Sequence, residues 1–297
     1  MTKPLRTPDA RFADLPGWPH EPRYCTRADG LRMHYAEADP GESARNSGKT
    51  WLCLHGQPTW SYLYRRMIPI LATAGRVVAP DFLGFGRSDK PADETTYTFD
   101  FHRDAMQELI EALDLRNIVL VVQDWGGLIG LTLPMAAPQR FTGLLVMNTA
   151  LGTGDEPLGE GFLAWRDYSN RNPDMDIGRL MQRGCPHLTP AEAAAYNAPY
   201  PDASFKAGVR RFPNLVPDRP DAPGAALSRQ ARDFWRNDWQ GKSLMAIGMK
   251  DPVLGPPVMR ALHGHIRNCP PPMEIADGGH FLQEWGEPIA RAAIISL

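Results

Sequence analysis

Asp124, Asp251 and His280 are the residues from which a reaction can be built. Each stands just beyond an apolar run: Asp124 closes NIVLVVQ, Asp251 closes SLMAIGMK, and His280 follows MEIADGG. An ionised carboxylate attacks carbon without first losing a proton, and a histidine oriented by a second carboxylate can take a proton from water. Together the three could carry a displacement that leaves an ester on Asp124 and a hydrolysis that clears it. Each also has a plain structural role open to it. An Asp after a strand often caps a helix, and a single His is often a packed ring. Taken alone, Asp124 fits helix capping as well as it fits catalysis.

The elements around these residues decide whether they can meet. Arg23 to Asp39 alternates around an Ala-Asp-Gly turn and reads as a β-hairpin. Thr50 to Gly56, Val77 to Phe82, Asn117 to Asp124, Leu144 to Asn148, Ser243 to Asp251 and Met273 to Asp277 read as strands. Helices are predicted over Asp100 to Leu115 with Asp100 as N-cap, over Gly126 to Ala137 with a kink at Pro134, over Pro257 to Ile266, and over Phe281 to Leu297. The rhythm breaks between Thr153 and Ser228, a stretch rich in Pro, Gly, Arg and Asp. That predicts a core of residues 1–152 and 229–297, with residues 153–228 as an inserted helical cap. Most strands are apolar throughout and alternate with helices, which predicts an α/β fold with a mostly parallel eight-stranded sheet and helices on both faces. Ligands bind such sheets beyond the carboxyl ends of the strands. The residues found there are His55-Gly56-Gln57, Asp81, Asp124-Trp125, Asn148, Asp251 and His280.

VVQDWGG has the strand–turn–helix layout of a nucleophile elbow, with Asp124 in the place of the usual Ser and Val122 in the place of the first Gly. Nucleophile, acid and base in this chain order match the α/β-hydrolases. Gly278 and Gly279 make the loop before His280 pliant. His55-Gly56-Gln57-Pro58 follows a strand where an oxyanion loop should lie, so the backbone N–H groups of Gln57 and Trp125 are expected to converge on one oxygen of Asp124. The glycines of DFLGFGRS (Asp81 to Ser88) do not fit G-x-G-x-x-G, which excludes a dinucleotide reading.

HGQPTWSYLYR (His55 to Arg65), DFLGFGRSDKP (Asp81 to Pro91), VVQDWGG (Val121 to Gly127), MKDPVLGP (Met249 to Pro256) and DGGHFLQEWGE (Asp277 to Glu287) resemble the haloalkane dehalogenases. The likeness is strongest to the branch whose catalytic acid follows the seventh strand. It covers residues 20–150 and 240–297, and is looser in the insertion. It implies the α/β-hydrolase fold with a helical cap after strand six. It implies hydrolysis of a haloalkane by water to alcohol and halide, through an alkyl ester of Asp124, with no metal or cofactor. It also implies two tryptophans whose indole N–H groups hold the halide: Trp125 and, in GFLAWRDY, Trp165. Another branch carries its acid after strand six. Here that place is Asn148, which cannot serve as a carboxylate.

Two points stay open at this level. Phe162, Phe205, Phe212 and Leu215 either line an apolar pocket for short alkyl halides or pack the cap onto the core. Epoxide hydrolases share the Asp–His–Asp set, but need cap tyrosines to protonate the epoxide oxygen, and Tyr168, Tyr196 and Tyr200 lie in the right region. Trp165 and the Gln123 that precedes the nucleophile favour the dehalogenase reading.

A net charge of −2 shows no basic excess, so neither nucleic acid nor an anionic membrane is an expected partner. No apolar run approaches the roughly 18 residues of a membrane span. The polar, Pro-rich first residues lack the apolar stretch of a secretory signal, so a cytoplasmic monomer is expected. Cys25, Cys53, Cys185 and Cys269 have no CxxC or zinc-site spacing and are expected to be free thiols.

Overall fold

The computed structural model describes residues 3–41, 44 and 47–297. Its strands are β1 (Arg23–Thr26), β2 (Arg32–Ala38), β3 (Thr50–Leu54), β4 (Arg76–Pro80), β5 (Ile118–Gln123), β6 (Phe141–Met147), β7 (Lys242–Gly248) and β8 (Met273–Ile275). They form one sheet in the order β1-β2-β4-β3-β5-β6-β7-β8. The β1–β2 hairpin adds to β4 antiparallel, and every pairing from β4 through β8 is parallel. This is the mostly parallel eight-stranded α/β sheet expected from the strand pattern, and the architecture that the resemblance implies.

Burial explains why the central strands read as unbroken apolar runs. Leu52, Leu54, Leu120, Val122, Leu144 and Val146 point into one core. Trp51, Cys53, Val119, Val121, Leu145 and Met147 point into the other. Alternate residues face opposite sides, and both sides are covered, so apart from Thr50 at the start of β3 no polar position occurs in β3 or β5 before Gln123.

The described residues form ten α-helices: α1 (Ile68–Leu71), α2 (Phe99–Ala112), α3 (Trp125–Gly130), α4 (Glu160–Arg171), α5 (Ile177–Gly184), α6 (Pro190–Ala195), α7 (Ala207–Arg211), α8 (Ala225–Asn237), α9 (Pro256–His263) and α10 (Gly286–Ser296). Several depart from the sequence expectation at their ends. Thr98, not Asp100, caps α2, because its side chain accepts from the Phe101 N–H. The elbow helix stops at Gly130, and Pro134 opens a separate 3-10 turn instead of kinking a continuing helix. The closing helix is a 3-10 turn at Leu282–Trp285 followed by α10.

Helices α4 to α7 lie between β6 and β7, in the predicted insertion. Its expected end at residue 228 falls inside α8, which is continuous to Asn237 and ties into the core through the Trp235 indole, donating to Leu131 O at 2.8 Å. All four cysteines are free thiols. Among the described residues no helix is long and apolar enough to cross a membrane.

The strand order carries the consequence for function. The chain places β4 on one side of β3 and β5 on the other, so the connections leaving the carboxyl ends of β3 and β5 diverge and leave a crevice. The loop after β3 and the elbow after β5 meet there.

Candidate active site

Asp124 follows β5 with φ 49° and ψ −123°, a positive-φ conformation that costs a non-glycine residue about 1–3 kcal/mol. The surroundings hold it there. Its N–H donates to Asn148 O at 2.9 Å, and its carbonyl accepts from Gly127 N–H, Leu128 N–H and the Thr149 hydroxyl. The turn is too crowded for larger neighbours: a Cβ on Gly126 would fall 2.0 Å from Leu54 O, and one on Gly56 would fall 2.5 Å from Asp124 Cβ. Val122, where a glycine was the usual expectation, is accommodated opposite Gly130. Asp124 stands at the N-cap position of α3, but its side chain makes no cap hydrogen bond.

That carboxylate has two different oxygens. Oδ1 accepts from the Gln57 N–H at 2.7 Å, and Oδ2 lies 3.6 Å from His280 Nε2. Among the described residues no hydrogen bond joins the Trp125 N–H to the carboxylate, so half of the expected pair of donors engages it here. His55, which introduces the loop, is fully buried and holds the loop in shape. Its Nε2 accepts from Phe82 N–H at 3.0 Å, which leaves Nδ1–H to donate to Gly56 O at 2.8 Å. Burial lowers its pKa, in keeping with a neutral ring.

His280 Nδ1 lies 2.9 Å from Asp251 Oδ2. Asp251 is itself fixed: Asn148 Nδ2 donates to the same Oδ2 at 2.8 Å, and Val253 N–H donates to Oδ1 at 2.8 Å. Burial opposes charge on both partners. For Asp251 it is outweighed by the His280 ring and backbone donors, which hold the carboxyl below its ordinary value. For His280 it is outweighed by Asp251 and Asp124, which push the imidazole up to about 10. Gln123 steadies the ring's backbone by donating to His280 O at 3.0 Å.

The sequence marks Asn148 as a strand-end residue that cannot supply an acid. In the fold its amide also spans Gly248 N–H and Gly279 O, so it locks β6, β7 and the His280 loop together. The signal available in the sequence was its place one residue beyond an apolar strand.

The Asp124 carboxylate opens on a cavity of about 1040 Å³. Gln57, Trp125, Leu128, Trp165, His280 and Phe281 lie on its wall, as does Phe162. The indole N–H groups of Trp235 and Trp239 donate to Leu131 O and Ser243 Oγ, whereas no described acceptor takes those of Trp125 and Trp165. The other three pocket candidates need correction. Phe205, Phe212 and Leu215 are not part of the cavity wall. Phe212 is fully buried and packs edge-on against Trp125, with ring centroids 4.5 Å apart, so it braces the indole. Phe205 and Leu215 pack against the main core.

None of the three cap tyrosines reaches the wall either. Tyr196 is buried with its hydroxyl on Glu284, Tyr200 directs its hydroxyl to Pro58 O at 3.4 Å, and Tyr168 stacks on Trp165 at 5.9 Å and is partly exposed. The acids that an epoxide hydrolase would need are turned away.

Comparisons with known proteins identify the family and the fold. Residues 50–287 match the family described as alpha/beta hydrolase fold. A haloalkane dehalogenase of Psychrobacter cryohalolentis is 44% identical, over 98% of this chain and 97% of its own length. One from Mycobacterium marinum is 41% identical, over 98% of each. Among solved structures, the haloalkane dehalogenase DpaA from Paraglaciecola agarilytica NO2 superposes with a TM-score of 0.95 at 46% identity, covering 99% of both chains. That protein is described as tetrameric, which does not match the monomer expected from the sequence.

Proposed function

Because the chain belongs to the haloalkane dehalogenase family of α/β-hydrolases, we propose that it hydrolyses haloalkanes to alcohol and halide through an alkyl ester of Asp124. The observation that carries this reading is a carboxylate facing a cavity whose wall, among the described residues, includes Trp125 and Trp165 and no tyrosine.

Oδ1 of Asp124 is engaged by Gln57, so Oδ2 is the oxygen with free lone pairs and attacks the halogen-bearing carbon. The carbon–halogen bond breaks as the carbon–oxygen bond forms. The departing halide takes hydrogen bonds from Trp125 and Trp165, donors that carry no protonation equilibrium near neutral pH. The ester that remains has Oδ1 as its carbonyl oxygen, already beside the Gln57 N–H.

Esterification also changes His280. In the free enzyme two carboxylates hold its proton, with a pKa of about 10. The ester removes the Asp124 charge, which lowers the ring's pKa, and the ring that has given its proton to solvent is the base. Oriented by Asp251, it then takes a proton from water, which attacks the ester carbonyl. The oxyanion forms on Oδ1, where the Gln57 N–H that already engages this oxygen stabilises it. Collapse frees the alcohol, regenerates the Asp124 carboxylate and leaves His280 protonated. The net change is one haloalkane and one water to one alcohol, one halide and one proton.

Residues 153–228 act in this reading as a cap that shuts the cavity and carries Trp165. The tetrameric relative supports association of this chain into a tetramer, which light scattering would register as four times the chain mass.

The test is halide release from 1-bromobutane and 1,2-dibromoethane, run beside styrene oxide. Bromide release that vanishes in Asp124→Ala and falls about a hundredfold in Trp165→Phe supports the assigned roles. Diol formation without bromide release would overturn them.

A further inference from the structure

We propose that a buried charged cluster centred on Glu284 positions His280 for the second half-reaction, by tying the base's loop to the insertion and to the segment that follows Gln57. The inference rests on the roles proposed above for Asp124 and His280.

Glu284 lies one short turn after His280, and the turn is stiff: Leu282 N–H donates to His280 O and Glu284 N–H to Phe281 O, both at 3.0 Å. The Glu284 side chain has no solvent exposure. Its Oε1 accepts from Arg65 at 2.6 Å and from the Tyr196 hydroxyl, and its Oε2 accepts from Arg65 at 2.9 Å and Arg66 at 3.1 Å. Glu192, on α6, accepts from both arginines, at 3.0 Å and 2.6 Å. Three separate stretches therefore close on one carboxylate: Arg65 and Arg66 from the segment begun by Gln57, Glu192 and Tyr196 from the insertion, and Glu284 from the base's loop. The His187 ring, also from the insertion, contacts Glu284 O at 3.2 Å and packs on Trp285.

Stability alone does not account for this arrangement. Taking several charges out of water costs about as much as their attraction returns, and apolar residues of similar volume commonly do as well. What a multidentate buried cluster supplies is geometry. The Arg65 fork fixes Glu284 in two directions, and that defines where the 280–284 turn sits. Among the described residues no member of the cluster hydrogen-bonds to Asp124, Trp125 or Trp165, so the alkylation machinery stands apart from it. His280 is the one reacting group whose loop the cluster holds. A small displacement of that ring leaves Asp124 able to attack the haloalkane and spoils the activation of water.

Tyr196→Phe and Glu192→Gln each remove one arm of the cluster while keeping volume. The experiment follows bromide by stopped flow during a single turnover of 1-bromobutane, and follows the alkyl-enzyme by intact mass after acid quench. The expected result is a bromide burst within about twofold of the parent, with ester hydrolysis slowed about 10- to 100-fold and the adduct accumulating. Equal slowing of both steps, or parental rates for both, would overturn the proposal and leave the cluster a fold element. His280→Phe separates this outcome from failure of the underlying reading: if that variant traps no adduct on Asp124, the ester mechanism itself is wrong.

Discussion

Two aspartate–histidine pairs involve carboxylates beyond the carboxyl ends of strands in the same sheet: Asp251, past β7, with His280 from the loop after β8, and Asp81, past β4, with His34 from within β2. His280 Nδ1 lies 2.9 Å from Asp251 Oδ2, and His34 Nδ1 lies 2.7 Å from Asp81 Oδ2. Both carboxylates are fully buried, and in both the opposing effect of burial is outweighed by the histidine and backbone donors, so each carboxyl sits below its ordinary value. The bond is the same; the far side of the ring differs. His34 is 1% exposed, and its ring packs edge-on against Tyr24 at 5.6 Å. Asp81 further accepts from the Ser61 and Arg87 N–H groups, both at 2.8 Å, and so knots three chain segments together. His280 instead turns its second nitrogen toward Asp124, on the wall of the cavity. An Asp–His bond at the end of a strand is therefore no sign of chemistry by itself. What the second ring nitrogen faces decides the matter.

Exchanging each histidine for a ring without nitrogen should split the two pairs. His280→Phe is expected to lower steady-state bromide production by about 10⁴-fold while keeping the first-turnover burst. Loss of the burst as well would mean that His280 serves the first step too. Asp251→Asn should lower turnover by about 10³-fold, because the neutral amide no longer stabilises the imidazolium formed when water is activated. A tenfold or smaller loss would place Asp251 with Asp81, as a structural carboxylate.

The pH dependence should be gentler and confined to one step. Alkylation takes away one of the two carboxylates that raise His280 to about 10, so its pKa in the alkyl-enzyme is lower, and acid keeps the ring protonated and idle. Ester hydrolysis should thus fall about tenfold for each pH unit below that value, while the bromide burst stays flat. A burst that follows the same limb would contradict the assignment. His34→Phe should change turnover least, within about twofold, and should instead cost about 3 kcal/mol of stability in denaturant unfolding, because it leaves Asp81 buried without its partner.

The three reacting residues and the oxyanion loop could be read from the sequence because each follows an apolar run, and runs buried on both faces leave a plain pattern. Trp165 was legible only through resemblance to a family. The insertion's side chains were not legible. Phe212 and Tyr196 had the composition of pocket residues, yet one braces Trp125 and the other binds Glu284.

By itself, then, the sequence determined the order of strands and helices, the elbow at Asp124, and which acid and base could serve it. Those features depend on neighbours a few positions away and on the requirement that sheet interiors be apolar. Only the tertiary structure decided that Asn148 holds Asp251, that the cap tyrosines turn from the cavity, and that Arg65 closes on Glu284 across 219 positions of chain. A buried polar group points wherever a partner offsets its lost hydration. For these residues that partner is set by how the elements pack, which spacing along the chain does not encode.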